Sequence, residues 1–213
     1  MFAIQQRSIH DQEEVAVISQ CILQRIPYRI YSRFKDVPKD SIPVGTVEWC
    51  EYFLNKEVTI PDYYPDFLKN QLHRNVWRAD KWPLGDKVFI KPSDRHKRFT
   101  GFVTSGTYRK KKKGPYWCSD IVKFTNEWRY YVADGKILTG EWYWGDEVNT
   151  PNAPKLCINI PNNWCGVIDF GTLDTGELAL IEAQPPYACG WYGKDHKLYV
   201  DFLIKGWKYL NRS

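Results

Sequence analysis

The 213-residue chain has no long apolar run. No stretch approaches the ~18 residues that a membrane span needs, and the mean hydropathy is −0.52. Residues 1–19 also lack a basic segment followed by an apolar one, so we expect no signal peptide. The sequence therefore predicts a cytoplasmic protein without a membrane segment.

Metal-binding patterns built on cysteine or histidine are missing as well. The six cysteines include no pair with C-x-x-C spacing, and the four histidines are far apart, which disfavours a structural zinc site. Cysteines scattered in this way, without an export signal, indicate buried thiols in a reducing compartment. The sequence also shows no convincing Cys–His or Ser–His pair for nucleophilic catalysis.

The composition that is present indicates a folded protein. Hydrophobic residues make up 43%, charged residues 26% and aromatic residues 16% of the chain, which argues against bulk disorder. The length corresponds to about one to two domains of ~150 residues. A net charge of +5 suits an anionic ligand such as a nucleotide, but does not by itself establish a nucleic-acid partner.

The first 84 residues are predicted to form a small α/β domain. A strand over residues 1–5 precedes a helix in which Val15, Ile18, Ile22 and Leu23 share one face, with Val17 and Cys21 near it. Further strands are predicted at residues 28–31 and 42–49, so a parallel sheet is expected. The segment Trp82-Pro83-Leu84-Gly85 is the predicted boundary between domains 1–84 and 85–213.

The second region is predicted to consist mainly of antiparallel strands. The tight-turn signals Asp134-Gly135 and Asp174-Thr175-Gly176 separate pairs of apolar runs. The expected strands are residues 87–91, 99–104, 121–124, 128–132, 137–144, 164–170 and 178–182, and a helix is expected at 199–210. The fold class is therefore α+β.

Basic residues mark two places where phosphate could bind. Lys91 ends an apolar strand just before a proline, and a lysine there suits phosphate, although an exposed strand-end lysine is the simpler alternative. The following loop, residues 93–101, carries Arg95, Lys97 and Arg98, and its backbone amides could also line phosphates. A solvated basic hairpin loop is an equal alternative.

An arginine on an aromatic strand is the third feature. By the two-residue period of a strand, Arg129 lies on the same face as Glu127 and Tyr131. An arginine on an inner strand face needs an anionic partner. That partner is either a ligand or, as the simpler alternative, an acid on a neighbouring strand.

A pair of carboxylates on two consecutive strands is the most specific signal. Asp169 ends one apolar run, Glu182 ends the next, and Gln184 follows two residues later. An antiparallel pairing brings the two acids together, and such like charges require a cation. Oxygen ligands suit magnesium. The alternative is a pair of exposed strand-end acids.

Together these features resemble the ATP-grasp superfamily. The order of lysine strand, phosphate loop, hinge, Glu-aromatic strand and Asp strand with Glu and amide is the same, and the spacing of Asp169, Glu182 and Gln184 matches that of its magnesium ligands. The chain looks most like the divergent clade marked by one Arg and two Lys. That clade includes a eukaryotic assembly factor for translation initiation factor 2 and small phage and bacterial proteins. The resemblance covers about residues 85 to 195 and implies a shortened pre-grasp domain before them. The phrases that carry it are Phe89-Ile90-Lys91-Pro92, Phe99-Thr100-Gly101, Glu127-Trp128-Arg129 and Glu182-Ala183-Gln184-Pro185.

The resemblance also implies a role for each matching residue. Lys91 would contact the α- and β-phosphates, Lys97 would be the second lysine, and Arg129 would face the phosphates or an acyl phosphate. The hinge that receives adenine would be Asp120, Ile121, Val122 and Lys123, with Glu127 near the ribose and Asp169, Glu182 and Gln184 on Mg²⁺. The chain departs from the superfamily pattern at Gln184, where Asn is usual. It departs also in the phosphate loop, where Gly101 is the only glycine, and at Val167, where many members have Arg.

The expected function is that of an ATP- and magnesium-dependent carboxylate–amine ligase acting through an acyl phosphate. Its partners would be ATP, a carboxylate and an amine, one of them carried by a protein or peptide, in the cytoplasm (of the host, if the gene is from a phage). The alternative is an ATP-binding assembly factor or a nucleic-acid-binding module without ligase activity. A basic run, Arg109–Lys113, and several aromatic residues favour the nucleic-acid alternative, while Asp169 and Glu182 would repel a polyanion. The aromatic residues are Trp142, Tyr143, Trp144, Trp164, Trp191 and Tyr192.

Overall fold

The computed structural model describes residues 1–7, 11–54, 60–83, 87–94, 98–104, 113–146 and 151–212. Within these residues the strands form one parallel sheet of three strands and two antiparallel sheets of four strands each. None of the helices in these ranges is both long enough and apolar enough to cross a bilayer.

The N-terminal part is the expected α/β unit. It contains β1 (Phe2–Gln5), α1 (Gln12–Gln24), β2 (Tyr28–Tyr31), β3 (Ile42–Val44) and α2 (Val47–Tyr52), with parallel strands in the order β2-β1-β3. The predicted third strand, residues 42–49, is shorter than expected. The Thr46 hydroxyl accepts a hydrogen bond from the backbone N–H of Trp49 at 3.3 Å and starts α2, which interrupts the strand.

The buried face of α1 differs from the predicted one. Val15, Ile22 and Leu23 are exposed, whereas Val17 and Cys21 are in the core. The spacing of residues 13, 16, 17, 20 and 21 fits a helix face equally well. That face is buried because it packs against α3, and because a backbone N–H from the loop before α3 bonds to the polar residue Glu13. The predicted face was therefore wrong.

The second sheet follows a 3-10 helix at Asp66–Gln71, where the sequence indicated a helix. Its strands are β4 (Val76–Ala79), β5 (Phe89–Pro92), β6 (Phe102–Val103) and β7 (Tyr116–Ser119), in the antiparallel order β4-β7-β5-β6. The sequence did not indicate β4 or β7. The pairing of β4 with β7 joins residues on the two sides of the predicted boundary at residue 84, and the division into domains 1–84 and 85–213 remains a prediction.

The third sheet consists of two hairpins. Its strands are β8 (Phe124–Ala133), β9 (Lys136–Gly145), β10 (Gly166–Leu173) and β11 (Leu178–Gln184), in the order β11-β10-β8-β9. The predicted turn at Asp134-Gly135 is confirmed, with φ values of 51° and 69° that suit a tight hairpin turn. The predicted strand at residues 121–124 was wrong, since extended pairing begins only at Phe124.

Both faces of the third sheet are covered. On one face Tyr131 and Val167 pack against α3 (His196–Leu210), the helix predicted at residues 199–210, and against α1 and the N-terminal strands. On the other face Trp128, Ile168 and Phe170 pack with Tyr63, Tyr64 and Leu68. Polar side chains that lie within this sheet are therefore held away from water and need partners.

Candidate active site

A cavity of about 380 Å³ lies between the second and third sheets. One wall comes from β5 and β7, and the other from the centre of β8, β10 and β11. The segment 119–122 closes one end. The cavity contains most of the residues singled out in the sequence, namely Lys91, Asp120, Ile121, Val122, Glu127, Arg129, Asp169, Glu182 and Gln184.

Three charged residues form a row across the third sheet. Arg129 on β8 pairs directly with Asp169 on β10, which pairs directly with Glu182 on β11. The register shifts just beyond this point, so that Ile181 has no partner on β10 and lines the cavity beside Glu182. The antiparallel approach of the two acids, predicted from the sequence, is confirmed.

Arg129 and Asp169 form a buried bidentate ion pair. Arg129 Nε donates to Asp169 Oδ1 at 2.8 Å and Nη2 donates to Oδ2 at 2.7 Å. Burial by itself would lower the pKa of Arg129, but the Asp169 carboxylate outweighs it and raises this pKa well above the ordinary value. Asp169 is only 2% exposed, so the alternative of exposed strand-end acids is wrong. The cross-strand acid, considered as the simpler partner for Arg129, is present.

Lys91 connects the two sheets. From β5, its Nζ donates to Glu182 Oε2 on β11 at 2.6 Å, and it lies 4.8 Å from the ring centroid of Tyr64 and 5.5 Å from that of Tyr63. Burial opposes its charge, yet Glu182 makes the net change in the Lys91 pKa an increase. The side chain is therefore a buried cation that faces the cavity.

The amide of Gln184 completes the group. Its Nε2 donates to Glu182 Oε1 at 2.5 Å and to Asp169 Oδ2 at 3.5 Å. Asp169, Glu182 and Gln184 thus converge as the sequence spacing predicted. Arg129 and Lys91 balance the two negative charges.

Aromatic rings cover the Arg129 side of the cavity. The rings of Tyr143 and Tyr192 lie 5.6 and 5.3 Å from the guanidinium carbon, and the two rings stack at 5.2 Å. Tyr143 also donates its hydroxyl to Glu127 Oε2 at 2.6 Å. Burial raises the pKa of Glu127, while the bond from Tyr143 opposes the rise. Glu127 and Arg129 are held in place before any ligand arrives.

The other end of the cavity is more apolar. Phe89, Val103, Ile121, Val122 and Phe124 line it. The Asp120 carboxylate is bound to Asn75, accepting from its backbone N–H at 3.0 Å and from Nδ2 at 2.8 Å. Lys123 is exposed, and its carbonyl accepts from the backbone N–H of Asp174. The backbone of 121–122, rather than the Asp120 or Lys123 side chain, is what this end offers to a ligand.

Sequence reasoning missed Arg74. Its guanidinium lies 5.5 Å from the ring centroid of Phe124 and donates to the carbonyl of Leu180 at 2.6 Å. Burial lowers its pKa. The residue lies in a short loop with no local pattern, and only the tertiary fold brings it to the cavity.

Part of the predicted phosphate loop cannot be placed. Lys97, with Arg95, lies outside the described residues, as does most of the basic run Arg109–Lys113. At the described end of the loop, Arg98 Nε donates to Asp94 Oδ2 at 2.7 Å and its Nη2 to the carbonyl of Gly114 at 3.2 Å.

Residues 67–202 match a family model described as an ATP-grasp domain, family 2 of its clade. The chain belongs to this ATP-grasp family. No match was found among the curated proteins.

Solved ATP-grasp proteins share the fold. N5-carboxyaminoimidazole ribonucleotide synthetase from Thermotoga maritima aligns with a TM-score of 0.54 and 11% identity, over 95% of this chain and 75% of that one. The ATP-grasp ligase PsnB, complexed with minimal precursor, aligns with a TM-score of 0.50 and 9% identity, over 95% and 99%. At these identities the likeness shows the fold alone, and it confirms the predicted α+β ATP-grasp architecture.

Magnesium is the metal that ATP-grasp enzymes generally use, so the donor set was compared with its requirements. The described residues hold no cluster of three or more His, Cys, Asp or Glu side chains suited to a metal. They do hold two facing carboxylates, Asp169 and Glu182, with the Gln184 amide between them. Carboxylate and amide oxygens are hard donors of the kind that Mg²⁺ prefers, and Mg²⁺ takes one or two carboxylates with phosphate and water as its other ligands. The residues present therefore fit this ion.

Proposed function

We propose that this ATP-grasp protein is an ATP- and magnesium-dependent carboxylate–amine ligase. The observation that carries the proposal is the pairing of two buried cations with two buried acids in one cavity: Lys91 with Glu182, and Arg129 with Asp169. Buried ion pairs are costly to desolvate and are poor stabilisers. Their concentration in a cavity is better explained by a ligand that carries both negative charge and a cation.

The proposed ligand is Mg·ATP. Lys91, with Lys97 as the second lysine, would contact the phosphates, the hinge 120–123 would receive the adenine edge, and Glu127 would bind the ribose. Asp169, Glu182 and Gln184 would hold the metal, which would supply positive charge to the phosphoryl group in transfer. The apolar lining around Ile121 and Phe124 suits a flat base.

The proposed reaction has two steps. A substrate carboxylate oxygen attacks the γ-phosphorus, the bond to the β,γ-bridging oxygen breaks, and ADP leaves. An amine then attacks the acyl phosphate carbon, phosphate leaves with the bonding electron pair, and the nitrogen loses a proton to give an amide. Lys91 and Arg129 would stabilise the charge on the transferred group, and no side-chain nucleophile is needed. The carboxylate or the amine would belong to a protein, a peptide or a small molecule, in the cytoplasm.

Trapping the acyl phosphate tests this proposal. The protein is incubated with Mg·ATP, hydroxylamine and pools of amino acids or peptides as carboxylates. Wild type should release ADP and form a hydroxamate. Lys91→Met should form none, while Lys87→Met, which changes an exposed lysine at the start of the same segment, should behave like wild type.

Two results would redirect the proposal. Equal hydroxamate from Lys91→Met and wild type would contradict the role of Lys91. Tight Mg·ATP binding without hydroxamate from any pool would favour the alternative function, an ATP-binding assembly factor.

A further inference from the structure

A second cavity, of about 420 Å³, lies on the N-terminal side of the first. Its wall is made by the start of α1, by the turn between β3 and α2, and by the loop before α3. We call it the N-terminal cavity. Tyr192 lines it, and the same ring lies 5.3 Å from the Arg129 guanidinium of the first cavity. The two cavities therefore meet at Arg129 and Tyr192.

Glu13 is the buried acid of this cavity. It is 7% exposed, and its Oε2 accepts the backbone N–H of Gly190 at 3.2 Å. The carbonyl of Gly190 accepts from the Tyr131 hydroxyl at 2.7 Å, and a Cβ at Gly190 would lie 3.5 Å from Arg129 Nη1. One glycine thus separates the Glu13 carboxylate from the arginine of the proposed active site.

The charges around the cavity favour a cationic ligand. Arg7, the described basic residue in the lining, is bound to Asp11 at 2.8 Å and to Glu14 at 3.3 Å. Glu13 forms no salt bridge to a lysine or arginine in the part of the chain that the structure describes; Arg129 acts on it favourably but is itself bound to Asp169. The described groups thus carry one positive and three negative charges.

Two buried polar atoms also lack a partner here. Neither Trp191 Nε1 nor the Tyr199 hydroxyl meets a hydrogen-bond partner among the described residues. Trp191 lines the cavity and stacks on Tyr199 at 4.7 Å, and the Tyr199 hydroxyl approaches Glu13 closely enough to lower its pKa without a standard hydrogen bond. Orphaned polar atoms beside a buried acid are typical of a site built for a ligand rather than for packing alone.

We propose that the N-terminal cavity binds a protonated primary amine, the acceptor substrate of the ligase, with the Glu13 carboxylate as its counter-ion. This inference rests on the proposed function, because an amine bound here lies beside Arg129, where the acyl phosphate would form. A free amino compound and an amine on a peptide share this chemistry. A cavity of this volume accommodates either an amino-acid-sized molecule or one residue of a chain.

The test measures amine binding without ATP, by saturation-transfer NMR or calorimetry. Glycinamide serves as a free α-amine, Nα-acetyl-lysine amide as a peptide side-chain amine, and N-acetylglycinamide as the uncharged control. Wild type should bind at least one amine and should bind N-acetylglycinamide at least tenfold more weakly. The relative affinity of the two amines distinguishes a small-molecule acceptor from a lysine side chain.

Three variants make the test specific to Glu13. Glu13→Gln keeps an acceptor for Gly190 but loses the charge, so amine binding should weaken at least tenfold. Gln12→Arg places a cation on an exposed lining residue and should weaken binding without disturbing the core. Glu51→Gln, at a buried glutamate that accepts from Tyr187 outside this cavity, should leave amine binding unchanged.

A pH series separates an amine counter-ion from a purely structural acid. Burial raises the pKa of Glu13 to about 6, so wild-type amine binding should weaken as pH falls below that value. Binding to Glu13→Gln should not follow pH in this way. The other titratable or charged groups that face Glu13 are Glu14, Cys50, Arg129, Cys189 and Tyr199.

Equal binding of amines and N-acetylglycinamide by wild type, or unchanged amine affinity in folded Glu13→Gln, would overturn the inference. A Mg·ATP titration on the same samples keeps the two proposals apart. If Mg·ATP binds but amines do not, only the inference fails. If amines bind through Glu13 and Mg·ATP does not, the ligase proposal fails instead.

Discussion

At the scale of single residues, Lys91 and Arg129 each neutralise one buried carboxylate. Lys91 does so across two sheets, and Arg129 does so within one sheet. Removing one member of a buried pair leaves an uncompensated charge, which costs more than the pair contributes. The same cations that would bind a nucleotide are therefore needed by the folded protein without it.

Lys91→Met should destabilise the protein by about 3 kcal/mol, because Glu182 is left buried without its cation. The double variant Lys91→Met/Glu182→Gln should recover most of that free energy, since no unpaired charge remains. Neither variant should bind Mg·ATP. Urea denaturation measures the stability, and a double variant as unstable as the single one would contradict the pairing of Lys91 with Glu182.

Glu13 should make stability depend on pH. Burial, the largest cause, raises its pKa from 4.5 to about 6. The folded protein then keeps this proton after the unfolded chain has released it, so the free energy of unfolding falls as pH rises through about 4.5 to 6. The loss from this carboxyl is about 2 kcal/mol. Glu13→Gln should therefore exceed wild type in stability by about that amount at about pH 7 and equal it at about pH 4. A constant difference between the two proteins across this range would contradict the raised pKa.

At the scale of secondary-structure elements, α3 holds the N-terminal unit and the third sheet together. Gly206 allows its close approach to the chain after β11, because a Cβ at Gly206 would lie 2.5 Å from Pro186 Cβ. Pro186 follows Gln184 by two residues, so the packing of α3 bears directly on the end of β11.

Gly206→Ala should lower stability by about 1 kcal/mol or more, even though alanine favours a helix by about the same amount. The clash with Pro186 outweighs the propensity. Lys208→Ala, at an exposed site on the same helix, should change stability by no more than about 0.5 kcal/mol. Chemical denaturation of both variants checks this, and a stabilised Gly206→Ala would contradict the close contact.

Elements with strong local signals could be predicted, and those that depend on partners could not. The hairpin at Asp134-Gly135 and the pair β10–β11 carry their own turns and apolar runs, and with them the meeting of Asp169 and Glu182. The strands β4 and β7 are four residues each, and they are recognisable only by their pairing with each other and, for β7, with β5. The buried face of α1 and the position of Arg74 likewise depend on tertiary contacts that no local pattern records.

At the scale of the whole molecule, charge organises the space between the second and third sheets. The second sheet contributes Lys91, and the third contributes Asp169, Glu182 and Arg129, in register across three strands. Beyond Arg129 the N-terminal cavity continues the same line toward α1. Nucleotide site and proposed amine site would thus meet at one arginine.

The central claim is that Asp169 and its neighbours bind Mg·ATP. Calorimetric titration of wild type, Asp169→Asn and Asp174→Asn tests it most directly, the last variant changing an exposed turn residue beyond the same strand. Thermal melting of each protein verifies that it is folded. Wild type and Asp174→Asn should bind ATP only with Mg²⁺, and Asp169→Asn should bind at least tenfold more weakly. Absence of Mg·ATP binding by folded wild type, or unchanged Mg²⁺-dependent affinity in folded Asp169→Asn, would contradict the account.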